Sequence, residues 1–169
     1  MTIKLSVGTS PSEVEKIQSR YNVVFSNEYY EFLVKNNGMF LGDGAYCTMP
    51  FYKVDDGEIA FLELYGIGTI NKNLDLDNAN VIIDEIKALK NPFVIGADPG
   101  GNIFLINGDE NDVSIYYWDR EHIHFDSNPD YPEYEEEGDI YKFSDSFSEF
   151  YERIISYSGG NKTLLKEKL

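Results

Sequence analysis

Positive charge and cysteine are what this sequence has least of. Its 169 residues carry 14 Lys and Arg against 30 Asp and Glu, a net charge of −16. Nucleic acid and anionic lipid surfaces are polyanions, so this balance disfavours either as a direct ligand and favours a basic partner. Cys47 is the single cysteine, which excludes a disulfide within the chain and suits a reducing compartment. No run approaches the ~18 apolar residues that a membrane-spanning helix needs. The opening MTIKLSVGTSPSEVEK holds no apolar segment before a cleavage site. A cytoplasmic protein is therefore expected.

Recognisable catalytic chemistry is also lacking. Read as a strand, residues 120–126 would put His122 and His124 on one face with Asp126 nearby, a conceivable metal site or simply a polar strand face. Cys47 would need one of those histidines beside it to act as a nucleophile. Between Tyr46 and Met49 it reads as a small buried hydrophobe. Asp109-Glu110-Asn111-Asp112 and Asp75-x-Asp77 lack the spacing, central glycine and terminal glutamate of a calcium loop. Turn chemistry and helix capping explain them. Gly96-x-x-x-Gly100-Gly101 is followed by neither Gly-Lys-Ser/Thr nor a helix, so it is no phosphate loop. The expectation is a protein without catalytic, cofactor or metal sites.

What is present is a core. Apolar residues make up 42% and aromatics 15% of the chain. A chain of this length can bury roughly two-thirds of its unfolded surface. One domain over residues 1–160, with a tail at 161–169, is the simplest organisation. Ser10-Pro11-Ser12-Glu13 carries an N-cap, a first-turn proline and a capping-box acid, and opens a helix with Val14, Ile17 and Tyr21 on one face. Ser26 caps a second helix, 27–36, whose Tyr29, Phe32 and Leu33 form a stripe that Asn37-Gly38 terminates. Residues 77–89 repeat apolar positions near the helical period, with Asp77 or Asn78 as cap. Residues 146–157 give the cleanest stripe: Phe147, Phe150, Tyr151, Ile154 and Ile155. The tail at 162–169 reads as a frayed extra turn.

Strand signals cluster in the middle. Phe93–Ile95, Ile103–Ile106 and Val113–Trp118 are separated by Asp98-Pro99-Gly100-Gly101 and Asn107-Gly108-Asp109, residues that supply turn geometry. Residues 58–65 and 67–70 read as further strands, and 38–57 as a loop with short extended pieces. Helices first, strands in a block, then a helix predict an α+β fold. It has a mostly antiparallel central sheet, with two N-terminal helices, a middle helix and a C-terminal helix around it.

The segment IQSRYNVVFSNEYYEFLVKNNG resembles the opening motif of the SUKH superfamily, bacterial toxin-immunity proteins related to fungal cell-wall-assembly regulators. In that family a helix and a short link precede "xx-Y-xx-F-L-xx-x-N-G". Here Val23-Val24-Phe25 stand in the link, Tyr29 and Phe32-Leu33 in the helix, and Asn37-Gly38 at its end. Ser26 replaces the usual proline, and both suit a helix start. The strand–turn–strand block ending in Val113, Tyr116, Trp118, Asp119 and Glu121 is similar to the family's, as is the Ser144–Ile155 helix to its closing "S-F-x-x-F-l". The resemblance implies the same central sheet and a protein that neutralises a toxin, many such toxins being nucleases. The alternative it leaves open is an intracellular scaffold or regulatory module.

Charge suggests where such a partner would bind. Between Asp109 and Asp139 lie twelve acids and, as the only strong base, Arg120. Either a solvated loop or a function explains so much self-repulsion. Asp109, Glu110, Asp112, Asp130, Glu133, Glu135, Glu136 and Glu137 are the expected partner-binding acids on this charge argument. Tyr30, Tyr131 and Tyr134 are the expected exposed tyrosines.

Overall fold

The computed structural model describes residues 2–132, 138–160 and 164–169. Its elements run β1 (Ile3–Leu5), α1 (Pro11–Tyr21), α2 (Asn27–Lys35), β2 (Met39–Leu41), β3 (Cys47–Pro50), β4 (Glu58–Phe61), β5 (Glu63–Leu64) and α3 (Leu76–Ala79). They continue with β6 (Pro92–Ala97), β7 (Ile103–Asn107), β8 (Ile115–Asp119), β9 (Asp139–Ser144), α4 (Phe147–Tyr157) and β10 (Leu164–Lys166). Eight strands form one sheet in the order β10-β1-β2-β5-β6-β7-β8-β9, while β3 and β4 make a separate ribbon. Every pairing is antiparallel except that of β10 with β1. The fold is α+β, as the sequence predicts.

Local chemistry explains the helices. The Ser10 hydroxyl accepts the Glu13 amide, the Ser26 hydroxyl the Tyr29 amide, and the Ser146 hydroxyl the Glu149 amide. Asn37 takes the left-handed conformation that ends α2, and its side chain then bonds Ile67 at both the amide and the carbonyl. The apolar stripes of α2 and α4 meet, with Phe32 5.1 Å from Phe147 and 5.6 Å from Tyr151, ring centre to ring centre. Deeper in, Phe150 packs on Phe104 at 4.9 Å and on Phe61 at 5.9 Å, joining α4 to both the sheet and the β3–β4 ribbon. Cys47 is buried, and burial pushes its thiol pKa up, so it is the small hydrophobe its neighbours suggest.

The structure corrects several local expectations. Residues 77–89 are not one helix. Asp75, not Asp77 or Asn78, caps the short α3, and the chain then tightens into a 3₁₀ segment over Asn80–Glu85. The cause is the buried Asn80, whose amide donates to the Leu76 and Val94 carbonyls and whose carbonyl accepts the Val94 amide. That side chain ties the helix to β6 and diverts it. Residues 58–65 split at Leu62 between ribbon and sheet, so an apolar run that reads as one strand serves two. No strand forms at 67–70. The tail is not a helical turn: β10 joins the sheet edge beside β1, and the Leu169 carbonyl accepts the Ile70 amide.

Residues 120–126 do not continue β8 either. His122 adopts a left-handed φ of 53° and turns the chain away. His122 and His124 therefore share no strand face with Asp126.

Candidate partner-binding face

That turn builds the most distinctive surface of the molecule. Asp119, at the end of β8, is fully buried, and its two carboxylate oxygens accept the Ile123 and His124 amides at 3.2 and 3.1 Å. Asn102 accepts the amides of Arg120 and Glu121 at 3.0 and 3.2 Å. The segment after β8 is thus hung by its backbone on buried polar side chains, with the Ile123 and Phe125 side chains exposed.

A second loop, 51–57, is locked to it. The Asp55 carboxylate accepts the His124 Nδ1 proton at 2.8 Å and the Phe125 amide at 3.1 Å. These bonds, His124 foremost, hold the Asp55 carboxyl below its ordinary pKa. The Lys53 carbonyl accepts the Asn128 amide at 2.8 Å, and the Lys53 ammonium pairs with Asp130 at 2.6 Å. Loops fixed this way normally turn their apolar side chains inward. Here Tyr52 is 93% exposed, Phe125 86%, Tyr46 51% and Ile123 48%. Tyr52 lies on one of the two cross-braced loops, Ile123 and Phe125 on the other, and Tyr46 just before β3, which makes this face a candidate contact surface. Asp55, Asp56, Glu58 and Asp126 lie among them, all exposed.

Asp55, Asp56 and His124 offer potential metal-ligand atoms within 4.8 Å of one another. The Asp55 oxygens are already taken by His124 Nδ1, by the Asp56 amide and by the Phe125 amide, so the group is explained as the tie between the loops.

The sequence profile of the SMI1/KNR4 family (SUKH-1) matches residues 8–153. The chain belongs to that family. SMI1/KNR4 (SUKH-1) proteins are commonly immunity or regulatory proteins and are generally not enzymes. No curated protein matches the chain. β1 and β10 both lie outside the matched span, so the parallel edge is an addition to what the SUKH-1 profile describes. Among the described residues no helix is long and apolar enough to cross a membrane.

The acids picked out by charge have divided roles. Asp112 accepts from Tyr116, Asn107 and Ser114 and is a bracing group half-buried in the β7–β8 turn. Asp109 accepts two bonds from Asn111 within the same turn. Glu110 is exposed and lines a concavity with Val24 and Val113. Asp130 is exposed but committed to Lys53 and to the Lys142 amide. Glu133, Glu135, Glu136 and Glu137, with Tyr134, lie outside the described residues. Tyr131 is exposed, as expected, whereas Tyr30 is half-buried. The sequence reading missed Tyr46, Tyr52, Phe125, Asp55 and Asp56. The available signal was that Tyr52 belongs to no periodic stripe and Phe125 alternates only with Ile123, while both stand beside acids and turn residues.

A second concavity, about 420 Å³, lies between α2 and α4 over Phe32, Phe147 and Tyr151. It is mainly apolar, with Glu28, Glu31 and Lys35 among its lining residues.

Proposed function

We propose that this SUKH-1 protein is an immunity protein that binds and neutralises a basic toxin domain, of the nuclease type, through the face built by loops 51–57 and 120–132. The observation that carries this is the pairing, on two mutually braced loops, of exposed aromatics with exposed carboxylates. Aromatic anchors supply contact area at low entropic cost, and carboxylates steer and select a basic partner. A nuclease surface is basic because it holds phosphate, and an acidic protein seated on it blocks substrate sterically and electrostatically with no chemistry of its own. The acidic run at 133–137 follows Tyr131-Pro132 directly in the sequence. Membership of the SUKH-1 family supports the reading.

The test is co-expression with the product of a neighbouring toxin gene. The expected result is a stable one-to-one complex on size exclusion and restored growth. A toxin that remains lethal and does not co-elute contradicts the proposal.

A further inference from the structure

A cleft of about 370 Å³ opens beside this face, between the β3–β4 ribbon and the turn after β8. Tyr46, Asp56, Glu58, Asp98, Tyr117 and His124 are the lining residues that matter. Its volume falls at the lower end of the range of ligand-sized cavities, about 300–1,000 Å³.

The charged side chains of the wall are carboxylates, with no lysine or arginine among its lining residues. Asp98 is buried at the base, where its oxygens accept the Gly100 and Asn102 amides, the Asn102 side chain and the Tyr117 hydroxyl. All of these donors are neutral. Asp119, behind the wall, is likewise held by backbone amides alone. Two buried carboxylates balanced by dipoles rather than by cations leave a negative field in a low-dielectric site. Asp56 and Glu58 add charge at the mouth. Among the described residues, Asp56, Glu58, Asp98 and Asp119 form no ion pair with a lysine or arginine.

The independent observation is His124. Its side chain is only 2% exposed and its ring stands in the cleft wall. Nδ1 donates to the Asp55 carboxylate, so in the neutral ring the lone pair is on Nε2, and Nε2 is buried with no hydrogen-bond partner. An orphaned acceptor of this kind carries a desolvation cost that a bound donor would relieve.

We infer that the cleft is a receptor for one arginine side chain of the basic partner. Guanidinium is the group that fits. It has only donors, it keeps its charge, it presents several N–H groups in a planar fork, and it stacks on aromatic faces such as Tyr46. Lysine would bring a compact, strongly hydrated charge with no plane to stack. The inference rests on the proposed immunity function and gives it an anchor point.

The test is a titration of the isolated protein with Nα-acetyl-L-arginine amide, followed by amide chemical shifts, with the citrulline counterpart as a neutral isostere. The expected result is saturable millimolar binding with shifts confined to residues around Tyr46, Thr48, Ala60 and Ile123, and none with citrulline. Asp56→Asn with Glu58→Gln, both exposed and remote from the core, should weaken binding by about fivefold or more while the rest of the spectrum is retained. No shifts, shifts spread over the acidic surface, or equal binding of citrulline overturns the inference. Its failure is distinguishable from that of the function. A toxin complex that forms although the probe does not bind removes the arginine anchor alone. A probe that binds where no toxin complex exists removes the immunity reading alone.

Discussion

Glu63 sits in β5, opposite Phe40 and Ala97, where burial raises its pKa from the ordinary 4.5 to about 7, and a hydrogen bond with Tyr65 only partly offsets this. The folded state thus holds a proton that the unfolded chain has released. That contribution to stability is complete below about pH 4.5 and is lost as pH rises to about 7. Glu63→Gln, which keeps the shape and stays neutral, should gain on the wild type across that window. Melting temperatures measured for both from pH 4 to pH 8 check this, and two parallel curves would contradict it. His124 gives the corresponding lesson about reading single residues. In sequence it is one of a pair of surface-facing histidines, whereas in the fold it is a buried cross-brace to Asp55. Residues 55 and 124 lie far apart in sequence, and no local pattern announces a contact between a turn aspartate and a distant imidazole.

Among the elements, those whose own side chains decide their structure were legible. Ser10, Ser26 and Ser146 cap where capping chemistry predicts, and the stripe of α4 is buried along Phe147, Phe150 and Ile154. Elements decided by long-range partners were not. Asn80 reads as an ordinary helical position, yet its bonds to β6 end the helix. Leu164-Leu165-Lys166 reads as a frayed turn until β1 offers an open edge. Gly96 is a further case. It stands just past the Phe93–Ile95 run in the sequence reading, but it lies within β6 at a shift of register, and a Cβ there would stand 2.3 Å from the Glu63 carbonyl oxygen. That close approach is how β5 reaches β6. Gly96→Ala should therefore cost about 1–3 kcal/mol through forced backbone displacement. Urea denaturation measures it, and a loss near zero would mean that β5 can shift freely.

At the scale of the whole molecule, the net charge of −16 is the quantity that sequence and structure explain together. Part of the acidic run is spent internally, as Asp112 and Asp119 show. Asp130 pairs with Lys53, while Glu110, Glu121 and Asp126 are exposed. If Glu135, Glu136 and Glu137 only steer a basic toxin, replacing all three with glutamine should slow association and leave dissociation nearly unchanged. The effect should shrink with added salt, since screening acts over roughly 8 Å at physiological ionic strength. Association rates at low and high salt test this, and an unchanged rate at low salt would confine the run to a role in solubility. On the proposed function, the exposed aromatics carry the affinity. The most direct measurement is the dissociation constant of Tyr52→Ala with Phe125→Ala for the toxin domain, beside that of the wild type. Both side chains are almost wholly exposed, so the variant should keep its melting temperature within a few degrees. Loss of two central aromatic anchors, at about 2 kcal/mol or more for such contacts, predicts binding weaker by about a hundredfold or more. A dissociation constant within about twofold of the wild type would show that the partner sits elsewhere on the molecule.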